Sequence, residues 1–195
     1  MKKHFQHSLF LAAVIALAAG CASAPSKFYT LSATATGDGT SAAQYAVAVG
    51  PVSVPAEVDR PQFTVTVAPN RVAIDEFNRW AEPLNDGIAR AVAADLGALL
   101  GSPRVTPAAP AGFTPEYRVT IDIQKFASLP GQSAQLDAVW VVRQTEGNVT
   151  LSGRTTATEP VTGNSYDALA AAHSRALAKL GRDLAAAIRT EAGTK

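Results

Sequence analysis

Apolar positions follow distinct rhythms along this chain. Leu9 to Ala19 (LFLAAVIALAA) is an unbroken apolar run. Phe28-Tyr29-Thr30-Leu31 reads as a short strand, and residues 32–43 (SATATGDGTSAA) read as a flexible loop without a packing signal. Tyr45 to Val54 (YAVAVGPVSV) alternates apolar and small residues, which predicts a strand that Gly50-Pro51 bends or bulges. Phe63, Val65 and Val67 alternate with Thr64 and Thr66, the period of a half-buried strand. Pro69-Asn70 predicts a turn, and Arg71 to Phe77 the returning strand of a hairpin.

The rhythm then lengthens. Leu84, Ile88, Val92, Leu96 and Leu99 recur at helical spacing, with Asn85, Asp86, Arg90 and Asp95 elsewhere on the wheel. Pro83 suits the first helical turn, and Gly101 is placed to end the helix. After the proline-rich stretch 106–115, Tyr117, Val119, Ile121 and Ile123 share one face of a strand. Leu136, Ala138, Trp140 and Val142 line one side of the next, with Val139 and Val141 opposite, which predicts a central strand covered on both sides. Val149 to Thr158 follows a Glu146-Gly147-Asn148 turn as a further strand. The last element is a helix from about Ser165 to Glu191, with Leu169, Ala172, Ala176, Leu177, Leu180, Leu184, Ala187 and Ile188 in a stripe. That stripe predicts packing on the sheet, with an oligomer interface as the minority reading. Strands, helix, strands, helix is the order of a mixed-sheet α/β sandwich with two main helices on the sheet.

The first apolar run is about 11 residues, or roughly 16 Å as a helix, too short for a bilayer core of roughly 30 Å. With Lys2 and Lys3 before it and small residues after it, the run describes a signal peptide over residues 1–20. Ala18-Ala19-Gly20-Cys21 resembles a lipobox, in which the cysteine becomes the acylated first residue of the mature chain. Cys21 is the only cysteine, so no internal disulfide forms, and lipidation explains an unpaired thiol in an exported protein. The alternative is an ordinary cut after Ala22-Ser23-Ala24. Two or more acyl chains hold a protein stably at a membrane. Residues 21–27 then form a tether of at most ~25 Å, and residues 28–195 a single domain. Residue 22 is Ala rather than the Asp that retains lipoproteins at the inner membrane, which points to the periplasmic face of the outer membrane.

Charge and chemistry narrow the function. Without Lys2 and Lys3 the chain carries 15 basic and 16 acidic residues, a formal charge of −1, and gives no electrostatic reason to bind nucleic acid. Phosphate-loop, nucleophile-elbow and dinucleotide motifs are absent. His4 and His7 leave with the signal peptide, so His173 has no histidine partner and reads as a surface or interface residue. Asp75 and Glu76 are adjacent on a strand and point to opposite faces, so they read as solvated charge. No catalytic residue, metal ligand or cofactor is expected, and a non-enzymatic role follows.

Two stretches stand apart: Asp59-Arg60-Pro61-Gln62 before a strand, and Arg79-Trp80-Ala81-Glu82-Pro83-Leu84 entering the first helix. Arg, Trp and Glu at a helix start can form a cation–π or salt-bridge knot that fixes the entry angle. Asp59, Arg60, Arg79, Trp80 and Glu82 equally suit a partner-binding patch, because Trp and Arg dominate interface hot spots.

These stretches carry a resemblance. Phe28-Tyr29-Thr30-Leu31, then Val54-Pro55 with Asp59-Arg60-Pro61-Gln62, then Phe77-Asn78-Arg79-Trp80-Ala81-Glu82-Pro83-Leu84, all after a lipobox, resemble the ABC-type transport auxiliary (PqiC-like) lipoproteins. Thr64 to Asn70 is less basic than that family's pattern, and the C-terminal half matches by rhythm alone. The resemblance implies a fold similar to the anticodon-binding-like sandwiches, as in the N-terminal domain of TolB. It implies a non-catalytic outer-membrane lipoprotein serving an MCE-domain protein and inner-membrane transporter components in lipid transport. Family members can assemble into rings, which makes a homo-oligomer a further expectation. A periplasmic lipid or small-molecule carrier and a structural envelope lipoprotein are the competing readings.

Overall fold

The structure, a computed structural model, describes residues 24–37, 45–147 and 149–192. The expected signal peptide, Cys21 and residues 38–43 of the expected loop lie outside them. The elements run β1 (Lys27–Tyr29), β2 (Val47–Ser53), β3 (Gln62–Ala68), β4 (Arg71–Trp80), α1 (Leu84–Leu100), β5 (Val105–Thr106), β6 (Tyr117–Leu129), β7 (Ser133–Gln144), β8 (Thr150–Pro160) and α2 (Tyr166–Ala192). They build a five-stranded sheet in the order β5-β2-β6-β7-β8 and a three-stranded sheet in the order β1-β4-β3. In the larger sheet β2 runs parallel to β5 and β6, while β6, β7 and β8 are antiparallel. The β2–β6 register shifts between Val49 and Val52, where the sequence places Gly50-Pro51.

The alternation of β6 accounts for its packing. Tyr117, Val119, Ile121 and Ile123 are buried while Arg118, Thr120, Asp122 and Gln124 are exposed. A register shift between Ile123 and Lys125 then reverses the parity, so that Phe126 and Ser128 continue the inner face. Helices α1 and α2 pack on one face of the large sheet and against each other, giving the α/β fold expected. Gly101 ends α1 in the left-handed conformation (φ 62°), and Ser165 Oγ accepts the Ala168 N–H at the start of α2.

Three expectations fail. The outer face of β7 is open: Val139 is 37% exposed, between Asp122 and Arg154 on the neighbouring strands. Both helices lie on the other face, so apolar residues on two sides of a strand do not here mean two covers. Residues 32–37 are packed, because the Thr34 and Ala35 N–H groups donate to Asp95 Oδ1 at 2.8 and 2.7 Å. Asp95, placed on the polar side of α1 by its spacing, is therefore fully buried. Burial pushes its carboxyl up, against the pull of those two backbone donors and of Arg182.

An aromatic hub joins the two sheets to α2. Phe63 of β3 stacks on Trp80 of β4 with centroids 4.3 Å apart, and Tyr29 and Tyr166 meet Phe63 edge-on at 5.9 and 5.1 Å. On the large-sheet side Phe126 stacks on His173 at 3.9 Å, and Trp80 lies 6.3 Å from Phe126.

Candidate functional site

The three sequence blocks singled out above meet at one corner of the small sheet. Tyr29 accepts the Ala81 N–H through its carbonyl (2.9 Å) and donates its hydroxyl to Asn78 Oδ1 (2.7 Å). Pro61 accepts the Trp80 N–H at 2.7 Å, while the Pro55 carbonyl takes the N–H groups of Val58 and Asp59. Arg90 of α1 completes the corner. Its Nη2 donates to Glu82 Oε1 at 2.5 Å and to the Leu31 carbonyl at 2.9 Å, and its Nε donates to Oε1 at 3.1 Å. One guanidinium thus ties the β4–α1 connection to the segment after β1.

Asp59, Arg60, Trp80 and Glu82 surround a hollow of about 310 Å³ beside Pro83 and Leu84. Arg79 is not part of it: its Nε donates to the Glu76 carbonyl at 2.9 Å, and its Nη2 lies 3.8 Å from Glu76 Oε2. The knot expected among Arg79, Trp80 and Glu82 takes another form, because Glu82 pairs with Arg90 and the Trp80 ring stacks on Phe63. Trp80 is only 6% exposed, so it shapes the corner from beneath. Asp59 is exposed, and the half-buried Arg60 has an Nε that is buried without a hydrogen-bond partner. Arg90 was missed because its partner lies across a strand–helix junction; an arginine nearly two turns into a helix that begins near a glutamate is the signal that points to it.

Asp75 is a structural clamp, not solvated charge. Its Oδ1 accepts the N–H groups of Phe77 and Asn78, each at 2.8 Å, inside the bulge where β3 and β4 lose register between Phe63–Asp75 and Gln62–Arg79. Its Oδ2 accepts the Tyr166 hydroxyl at 2.8 Å. Burial pushes the Asp75 carboxyl up, but the Tyr166 and backbone donors outweigh it and hold the group below its ordinary value. Burial and Asp75 push the Tyr166 hydroxyl up to about 12.

His173 overturns its expected surface position. It is 0% exposed, and its Nε2 lies 2.8 Å from Ser128 Oγ while Nδ1 has no partner. Burial lowers its pKa to about 3. A Ser–His pair suggests a nucleophile, yet Ser128 is 2% exposed and nothing orients Nδ1 as a catalytic base requires. Among the described residues no group of three or more His, Cys, Asp or Glu stands together to hold a metal ion, and no helix is long and apolar enough to cross a membrane.

The family model described as ABC-type transport auxiliary lipoprotein component matches residues 29–185, from Tyr29 of the corner to Ala185 of α2. The chain belongs to this family. Membership makes it an auxiliary lipoprotein of ABC-type transport, a class held at an envelope membrane by lipid. Among solved structures, a DUF330 protein of Xanthomonas campestris is similar over 82% of this chain and 93% of its own, with 19% identity and a TM-score of 0.68. An uncharacterized protein matches 85% of this chain and 99% of its own, with 15% identity and a TM-score of 0.66. Both share the fold of this family member. Comparison with curated proteins gives no match.

Proposed function

We propose that this auxiliary lipoprotein is a non-catalytic docking collar. It is anchored through Cys21 at the periplasmic face of the outer membrane and holds an MCE-domain protein of an intermembrane lipid-transport system, so that lipid is handed over there. The observation that carries this reading is the β3–β4 hairpin. Val67, Val72, Ile74 and Phe77 are all between 43% and 48% exposed on this one unit. β1 pairs with β4 only at Asn78, Arg79 and Trp80, so residues 71–77 keep an open backbone edge among the described residues. Large apolar side chains exposed on a hairpin that carries an unpaired edge suit a protein partner better than water. The same surface suits ring formation by copies of the chain. Asp59, Arg60, Arg79 and Glu82 are the polar candidates near it, with Trp80 as their support.

Crosslinking from membranes, with partners identified by mass spectrometry, tests this. The native chain should recover an MCE-domain protein, and the double variant Ile74→Ser, Phe77→Ser should lose it while keeping its fold. Trp80→Ala should weaken both folding and recovery. Recovery of peptidoglycan-associated or assembly proteins alone would replace the collar with a structural envelope role.

A further inference from the structure

A groove of about 690 Å³ runs between β1 with the segment after it and the outer face of α2. Asp167, Ala171, Arg175, Ala178 and Arg182 of α2 all line it, at offsets of 4, 8, 11 and 15 residues that share one helix face. Arg175 and Arg182 stand two turns apart, ~10 Å along the axis, with Ala178 between them. Ala178 is buried at the floor of that interval, while Arg175 and Arg182 are exposed on either side of it and long enough to reach one anion held at the groove's rim.

The two arginines differ in their present contacts. Arg175 donates through Nε to Glu159 at 3.1 Å and through Nη2 to the Pro160 carbonyl at 2.6 Å, which fixes its guanidinium and balances the Glu159 charge. Arg182 is exposed and makes no hydrogen bond or ion pair among the described residues; the buried Asp95 attracts it only at longer range. Asp167 acts on Tyr29 at the other end of the groove, some 15 residues of helix or ~22 Å from Arg182, and does not neutralise it. On the opposite wall Phe28 is 63% exposed, more than any other large apolar side chain described.

Position adds the occupant. Phe28 follows directly on the tether from Cys21, whose reach is at most ~25 Å. The groove therefore lies beside the bilayer in the anchored protein, with an aromatic ring at its rim and an unengaged guanidinium inside it. Aromatic rings favour the membrane interface, and guanidinium forks match phosphate oxygens. We propose that this groove binds the phosphate of a phospholipid headgroup in the anchoring bilayer, with Arg182 and Arg175 as its ligands and Phe28 in the interface. The proposal rests on the anchored reading above and extends it: the acyl chains set the distance of the domain from the membrane, and the headgroup contact sets its rotation.

Hydrogen exchange over residues 28–34 and 167–182, with the chain titrated by monomeric dihexanoylphosphatidylglycerol, tests it. Both segments should be protected saturably, and dihexanoylglycerol, which lacks the phosphate, should protect neither. Arg182→Gln should weaken the affinity about tenfold, the least expected for a lost hydrogen bond to a charged group. Phe28→Ser should weaken it by less. Absent protection, or protection unchanged in Arg182→Gln, would overturn the proposal. Equal protection by inorganic phosphate would overturn the lipid assignment and leave a general anion site. Acylation is read separately, from the mass of the Cys21 peptide from native membranes, so failure of the anchor and failure of the groove give different signatures.

Discussion

Trp140 of β7 lies across Gly153 of β8, its register partner, and fills the space that a side chain at position 153 would need. A Cβ there would overlap Cζ2 of the indole and lie 2.6 Å from Cη2. The indole Nε1 donates to Thr155 Oγ1 at 3.1 Å, and Thr155 donates in turn to Asp183 of α2 at 2.6 Å. The ring is thus held flat on the sheet and cannot move aside without breaking a chain of hydrogen bonds that reaches the helix. Gly153→Ala is expected to cost about 1–3 kcal/mol, the usual penalty of overpacking. Urea unfolding measures it; a neutral effect would mean that the ring yields.

Asp95 holds the segment after β1 through two backbone N–H groups. Asp95→Asn keeps an acceptor and removes a buried charge, so it should change stability by less than about 1 kcal/mol. Asp95→Ala should lose about 1–2 kcal/mol and speed exchange at Thr34 and Ala35. Equal effects of the two variants would show that the carboxylate charge, not the acceptor, is what matters.

His173 makes the fold acid-sensitive. In the unfolded chain it takes a proton near its ordinary value of 6.5, in the folded chain only near 3. Between those limits the unfolded state binds more protons, so stability is full above about pH 6.5 and falls as pH drops, by up to ~1.4 kcal/mol per unit. Denaturant unfolding at pH 7 and 4.5 should show a loss about 2 kcal/mol smaller in His173→Gln than in the native chain. Parallel losses would remove His173 from the account.

Tyr166 acts at the opposite end of the scale. Its folded pKa of about 12 exceeds the ordinary 10, so the unfolded chain ionises first and stability is lost as pH rises from 10 towards 12. Burial also raises Tyr29 and Tyr117, so Tyr166→Phe should reduce that decline without abolishing it, and cost about 1–2 kcal/mol at neutral pH. The Asp75 carboxyl should also titrate higher once its hydroxyl donor is gone, which carboxylate NMR reads directly. An unmoved Asp75 would assign its depressed value to the backbone donors alone.

Most strands and both helices were legible in the sequence because they present one buried face, which period alone finds; β4 has no such face and was found only as the return of the β3 hairpin, and the two-residue β5 was not found. β6 and α2 show this most clearly, although Ser128 of β6 and His173 and Ser174 of α2 are buried polar residues that the apolar spacing does not mark. Asp95 and His173 were not legible. α1 is enclosed by the sheet, by α2 and by the segment at residues 32–37, so residues around most of its circumference are buried. A lone polar residue in such a helix reads as solvent-facing until its non-local partner is known. Gly181 is the local trace of this packing, since a Cβ there would lie 3.1 Å from the Asp95 Cβ. At the corner the sequence marked the right blocks, but it could not separate Trp80, which is interior, from Asp59, which is exposed. Asp59 lies before β3 and Trp80 at the end of β4, and spacing along the chain does not say which of two such positions the fold covers.

The connection of β1 to the rest of the molecule has a mechanical meaning. Lys27, Phe28 and Tyr29 pair with β4 in parallel, and immediately beyond them Leu31, Ser32, Thr34 and Ala35 are held by Arg90, Ser174 and Asp95. Tension entering from the tether runs along the strand, so these bonds share the load in shear instead of parting one at a time. With the anchor proposed at Cys21, the part nearest the mooring would be braced against being dragged.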